Sequence, residues 1–332
     1  MLSRNNEPLL GRIRITTASL IVFLGVAGCS HDAPETKVAN QGQSGLDRPF
    51  AIGTPAEIPM RIAEIAPHFH LVTGRGGNSL IFDAGDSLVL VDTKLMYPAA
   101  WQELKSLGQQ ATGGDRFDWV FMTHHHADHS GGNAFAQADG ATVIAQTNTS
   151  ETLERYIAKI APMNPSKADV VFDAVYELDV AGHPVRAYYW GPAHTNGDIA
   201  VHFPDAGVIA AGDLVFGSGT FAVDAIDGRG SLIGALERVD DILSLEFEIL
   251  VPGHGEYIMT RDEVVLYRER LSLLVDRGRA AVRRGVPVDG LRDALEGHEL
   301  GFRLAGHFWM DPRYVAPIHA ELVALEAEQE TP

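Results

Sequence analysis

Directly after the apolar run Trp119 to Met122 stands Thr-His-His-His-Ala-Asp-His-Ser-Gly-Gly-Asn, residues 123–133, and no other stretch restricts the fold so tightly. The apolar run has the length and composition of a buried strand. In extended backbone, side chains two apart share a face, so His124 and His126 can close on one cation while His125 points elsewhere. The chain is then expected to turn into a helix, from which Asp128 and His129 can reach a second cation beside the first. Imidazole nitrogen with a hard carboxylate suits zinc, and also iron or manganese. The plain alternative, a histidine-rich surface turn, is disfavoured by the helix-breaking pair Gly131-Gly132 that follows at once.

A metal site needs more donors than this run supplies, and they are expected at strand ends elsewhere. His194 lies in Trp190-Gly-Pro-Ala-His194-Thr-Asn-Gly-Asp198, Asp213 in Ala210-Ala-Gly-Asp213, and His254 in Val251-Pro-Gly-His254-Gly255. Each follows or ends an apolar run and is flanked by glycine or proline, as in loops that bring one side chain to a sheet edge. Singly, each reads as a turn residue. In this order, behind His-x-His-x-Asp-His, they read as a ligand set.

That ordered set resembles the metallo-β-lactamase fold superfamily of metallohydrolases, over roughly Ile62 to His254. The resemblance implies that His124, His126 and His194 hold one divalent ion, that Asp128, His129 and His254 hold a second, and that Asp213 bridges them. Zinc is the ion it favours, with iron or manganese as alternatives. It also gives Asp92, at the end of Leu88-Val-Leu-Val-Asp92, the task of orienting a ligand from beneath.

Strand patterns at 68–73, 79–83, 87–92, 119–122, 142–145, 175–178, 185–190, 199–203, 208–211 and 248–251 alternate with helical patterns at 98–109, 149–160 and 231–243. Strands interleaved with helices, with the candidate ligands at one edge, predict an α/β fold: a four-layer αββα sandwich with the site at its rim. Beyond it, 260–284, 289–295 and 317–328 read as a helical tail covering the sheet. The aromatic group Phe302, His307, Phe308, Trp309 and Tyr314 in that tail reads as core packing rather than as a pocket wall. The expected organisation is a leader over 1–28, a polar tether over 29–55, a catalytic domain over 56–258 and a helical extension over 259–332.

The leader is read from Arg12 and Arg14, the short apolar stretch Ile15 to Ala27, and Val26-Ala-Gly-Cys29, which resembles a bacterial lipobox. The stretch is too short to span a membrane comfortably. Cys29 is the only cysteine, so no intrachain disulfide can form,. The expectation is therefore an exported protein held by a lipid on Cys29, at the outer membrane facing the periplasm. The net charge of the whole chain is −18. Residues 1–28 contain three basic side chains and one acidic, leaving 23 basic against 43 acidic from Cys29 onward. An acidic surface argues against nucleic acid as a partner, because phosphate backbones are bound by clustered Lys and Arg.

A small molecule is the expected substrate. Two cations supply a bridging hydroxide near neutral pH, and Asp128 can take the proton that the water sheds and pass it to the leaving group. Ser218 and Ser231 lack the Gly-x-Ser-x-Gly setting of a nucleophile, and no cysteine is placed for thiol chemistry. Asp213 stands where β-lactamases of the superfamily carry cysteine or serine and resembles the glyoxalase II and lactonase pattern. This favours an ester, thioester or lactone, with β-lactam hydrolysis and iron-dependent persulfide oxygenation as alternatives. The glutathione-binding tail of glyoxalase II is not recognisable, and nothing in the sequence fixes the oligomeric state.

Overall fold

A computed structural model describes residues 58–160, 166–217, 219–304 and 306–329. The expected leader and tether, with Cys29, lie outside these residues, as does Ser218. The first half runs β1 (Arg61–Ala66), β2 (Phe69–Thr73), β3 (Ser79–Asp83), β4 (Leu88–Val91), α1 (Pro98–Thr112), β5 (Trp119–Phe121), α2 (Ala127–Ser130), α3 (Asn133–Ala138), β6 (Thr142–Gln146), α4 (Thr147–Ile160) and β7 (Val170–Phe172). These strands form one sheet in chain order, antiparallel from β1 to β4 and parallel from β4 to β7.

The second half runs β8 (Val175–Val180), β9 (His183–Tyr188), β10 (Ala200–Phe203), β11 (Val208–Phe216), β12 (Thr220–Phe221), α5 (Leu232–Leu243), β13 (Ile249–His254), α6 (Arg261–Arg283), α7 (Val288–Leu295), β14 (Arg303–Leu304), α8 (His307–Met310) and α9 (Pro312–Gln329). Its main sheet has the order β13-β11-β10-β9-β8, with β11 and β13 parallel, and β12 pairs with β14 apart from it.

Strands that are apolar on both faces need cover on both sides, and side-chain alternation distributes that cover. Leu80, Phe82, Val89 and Val91 face inward against Val185, Val201, Phe203 and Val208 of the other sheet. Ile81 and Leu90, one residue out of phase, pack under Trp101 and Leu104 of α1. On the far side, Ile209 and Ala211 pack against Leu232 and Val239 of α5 and Tyr267 of α6. The result is the predicted αββα sandwich. The tail covers the second sheet: Leu271 and Leu274 of α6 share a core with Ile318 and Leu322 of α9. Ser231, the N-cap of α5, is tied to Glu321 of α9. No helix among the described residues is long and apolar enough to cross a membrane.

The structure departs from the pattern in ways that have physical reasons. No residue of β1 is fully buried, so its sequence carries no clear alternation and the strand is not legible in it. Helix α9 begins at Pro312, with Pro317 inside it rather than at its start. Most consequential, β11 does not stop at Ala211 but continues through Asp213 to Phe216, with its register against β13 broken on either side of Gly212. Gly212 has φ of 50° and sits where a Cβ would lie 2.5 Å from Thr123, so only glycine allows the strand to bend there,. The bend keeps Asp213 inside a buried strand and close to the histidine run.

Candidate metal centre

Every donor reaches the rim by a route its local sequence dictates. The chain leaves β5 at Phe121 and passes His124 to His126 before α2 carries Asp128 and His129. His194 comes from the β9–β10 connection, Asp213 from the bend in β11, and His254 from the last residue of β13. The predicted helical turn is present as α2, and His254 stands in the strand rather than in a loop beyond it.

Two adjoining groups result, each with its donor atoms within 4.8 Å of one another: His124, His126, His194 and Asp213; and Asp128, His129 and His254. Asp213 joins them. Its Oδ2 lies 3.3 Å from His194 Nε2 and 3.9 Å from His124 Nε2. Its Oδ1 lies 3.3 Å from His129 Nε2 and 3.4 Å from His254 Nε2. Asp128 Oδ2 stands 3.3 Å from His254 Nε2.

Other groups fix which nitrogen each imidazole presents. Asp92 Oδ2 takes His129 Nδ1 at 2.7 Å while the same carboxylate accepts Thr123 N and Oγ1. The carbonyl of Ala222 takes His194 Nδ1 at 2.9 Å. Asp224 Oδ2 takes His126 Nε2 at 3.0 Å, leaving Nδ1 to face His194 Nε2 at 2.9 Å. Each of these three rings thus has one nitrogen engaged behind it and turns the other toward the cluster,. His124 Nε2 is buried with no hydrogen-bond partner. Opposed ring nitrogens, a buried orphan acceptor and a carboxylate with one oxygen toward each group fit a pair of divalent cations, and this nitrogen-and-carboxylate set suits zinc. His125, His126 and Asp224 form a third grouping, in which His126 is shared and its Nε2 is already bonded to Asp224.

The electrostatics match. Burial resists ionisation of Asp213, yet His254, His129 and His194 around it hold its carboxyl well below the usual carboxylate range. Burial, reinforced by the neighbouring rings, holds His124 well below ordinary imidazole, and burial pulls His194 down to about 4. Two of the site's imidazoles, His124 and His194, and Asp213 are therefore held in their metal-ligating forms by position alone, whereas at His129 and His254 burial is outweighed by Asp213 and Asp128, which raise both rings above ordinary imidazole, so that a cation there would have to displace a proton,.

Two features of the site were not legible in the sequence. Phe308, assigned to core packing, stacks on His126 at a centroid distance of 5.6 Å and meets His194 edge-on at 6.1 Å. Tyr314 packs on Phe308 and donates its hydroxyl to Asp227 at 2.9 Å. Both are half-buried and line the site, whereas Phe302 and Trp309 are buried core as expected. Phe308 also packs on the core of the second sheet, as expected; that it reaches the histidines depends on the fold of the tail back over α5, a tertiary event with no local signature. Asp224 was also missed. Its signal is Asp224-Ala-Ile-Asp227-Gly228, a turn in which Asp224 Oδ1 accepts from the backbone of Asp227,. Asp224→Ala should weaken binding of the first metal by about 10- to 100-fold, because His126 would then be free to turn. Competition of the zinc-loaded variant with a chelator measures the effect, and parent-like affinity would show that Asp224 does not govern His126.

The fold and donor set define the class first: an αββα sandwich whose rim can hold two metal ions. The family follows from residues 72–254, which match the Metallo-beta-lactamase superfamily, and the chain belongs to that superfamily. The chain is 28% identical over 160 residues to a hydroxyacylglutathione hydrolase of Acidiphilium cryptum, covering 48% of this chain and 54% of that one. It is 26% identical over 196 residues to an atrochrysone carboxyl ACP thioesterase of Aspergillus fumigatus, covering 58% and 54%. The chain thus spans about half the length of these relatives. A metallo-beta-lactamase from Pontibacter korlensis superposes with a TM-score of 0.54 at 18% identity, over 64% of this chain and 99% of that one, a likeness of fold alone.

Proposed function

We propose that this protein is a dinuclear metal-dependent hydrolase of a carbonyl substrate, an ester, thioester or lactone. One observation carries the reading: Asp213 turns one oxygen to each donor group, at 3.3 Å from His194 and 3.3 Å from His129. On this reading His124, His126 and His194 hold one ion, Asp128, His129 and His254 hold the other, and Asp213 bridges. When bound, such a pair supplies a water nucleophile near neutral pH and polarises the carbonyl oxygen. An aspartate at this position and two relatives named as a hydroxyacylglutathione hydrolase and a thioesterase support thioesters within the class.

The chain's own residues divide the remaining work. Asp213 fixes the separation of the two donor groups. Asp92, Asp224 and the Ala222 carbonyl keep the imidazoles in one tautomer, so that no reorganisation is needed during turnover. The Asp128 side chain is 29% exposed and stands at the mouth beside His254. It accepts the proton released as water attacks and returns it to the departing oxygen or sulfur. Phe308 and Tyr314 shield the His126 side and receive the apolar part of the substrate.

The test is a panel of thioester, lactone, aryl ester and cephalosporin substrates with the zinc-loaded chain, alongside metal analysis. Turnover of one of the first three with two zinc ions per chain is expected. Cephalosporin turnover alone would move the substrate to β-lactams. One iron per chain with oxygen uptake on a persulfide would replace hydrolysis with oxygenation. Phe308→Ala should raise KM for an aryl ester by about 3- to 10-fold, the worth of one aromatic contact, with zinc content unchanged. An unaltered KM would remove Phe308 from the substrate path.

We also propose that Cys29 carries a lipid that holds the exported protein at the outer membrane facing the periplasm. The support is the sequence of residues 12–29. Cys29→Ser should move the protein from the membrane fraction to the soluble fraction without changing its activity, and continued sedimentation with membranes would count against the anchor.

A further inference from the structure

Lys94 is fully buried, at φ of 67°, burial draws its pKa down to about 7, and no carboxylate stands at bonding distance from its amino group. Nζ donates instead to two backbone carbonyls, Val72 at 2.6 Å and Gly77 at 2.6 Å. Taking a lysine head group out of water is costly, so a side chain held this way has a structural consequence worth locating.

The consequence lies in the turn over residues 74–78, which Lys94 pins from below. Gly77 donates its N–H to the carbonyl of Asp128 at 3.0 Å. A Cβ at Gly77 would lie 2.1 Å from the His129 ring, so the bare backbone of Gly77 forms the surface on which that imidazole rests. Asn78 donates its backbone N–H to Gly253 O at 2.7 Å and its side-chain amide to Pro252 O at 2.9 Å, fixing the approach to His254. The backbone around Lys94 grips the same region: Thr93 N donates to His129 O at 2.6 Å and Gly131 N to Lys94 O at 3.0 Å. Asp128, His129 and His254 are the three ligands assigned to the second ion. The bonds that hold the other group come from elsewhere, from Ala222, Asp224 and Thr123.

We propose that Lys94 is a positioning residue for the second metal ion: its buried amino group locks the 74–78 turn, and through it Asp128, His129 and His254, into coordinating separation. It acts on the second ion and leaves the first untouched. This rests on the dinuclear reading given above. It makes the choice between one and two bound ions a property of a lysine that touches neither.

Calorimetric titration of the metal-free full chain with zinc tests it, with stepwise cobalt loading followed by visible absorption as a second readout. The parent should bind two zinc ions. Lys94→Met, which keeps the length and removes the donors, should bind the first with parent affinity and the second about 10- to 100-fold more weakly, as expected for loss of a group supporting ligands. The second cobalt signature should weaken in step. Equal weakening of both ions, or parent-like binding of both, overturns the assignment. If Lys94→Met does not fold, Lys94→Gln, which shortens the reach to the Val72 and Gly77 carbonyls, asks the same question: selective weakening of the second zinc supports the proposal, and two parent-like affinities or equal weakening of both sink it. A parent that binds a single zinc overturns the dinuclear reading itself, and this inference with it.

Discussion

Asp213→Ala should remove both metal ions and lower turnover by at least about 10³-fold, roughly 4 kcal/mol of transition-state stabilisation. No other side chain in the cluster has an atom facing each donor group. Its Oδ2 is set toward His194 and His124, and its Oδ1 toward His129 and His254. Truncation at any single imidazole strips one group, whereas truncation here strips the contact between them. The carboxylate is 5% exposed, and its negative charge offsets the mutual repulsion of two cations in a site with little water,. Asp213→Asn, which preserves the shape, should lose nearly as much because it removes that charge. Zinc analysis after dialysis, run beside the substrate panel, checks both variants. Two zinc ions retained in Asp213→Ala would show that this carboxylate does not bridge.

The second large effect separates neighbours in sequence. His124→Ala should lose metal and turnover together, while His125→Ala should retain both and lose stability instead. His124 is fully buried, its Nδ1 stands 3.2 Å from Thr123 Oγ1, and its orphan Nε2 faces the cluster. His125 is also buried but lies beside Asp224, with Nε2 3.9 Å from Oδ2, and burial drags its pKa to about 2. Its removal leaves a cavity rather than a missing ligand, at a cost of about 2 kcal/mol. Melting curves with and without zinc distinguish the two outcomes. Equal loss of metal in both variants would mean that the imidazoles facing inward have been misassigned.

The alternation that set His124 and His126 on one side and His125 on another could be read from the sequence because strand geometry is local. The same is true of the turn into α2 and of the apolar strands that demanded two covered sheets. The course of β11 could not be read in this way. Ala210-Ala-Gly-Asp213 looks like a strand ending in a loop, and only the proximity of Thr123 explains why the strand bends at Gly212 and continues. Phe308 packs on the core as read, and its further contact with His126 was hidden for a related reason, since burial against a core and contact with a histidine have the same signature in one dimension.

What the sequence alone determined is the kind of chemistry and the kind of scaffold, because ligand types, their order and side-chain alternation are properties of the chain itself. Tertiary structure decided which nitrogen each histidine presents, that Asp213 faces both groups, that Asp224 and Lys94 support them, and that the helical tail walls the site. Those facts depend on contacts between residues far apart in the chain, among them 17 positions for Lys94 and Gly77 and 98 for His126 and Asp224. Hydrogen bonds of that span are set by how layers stack, and no local pattern encodes the stacking.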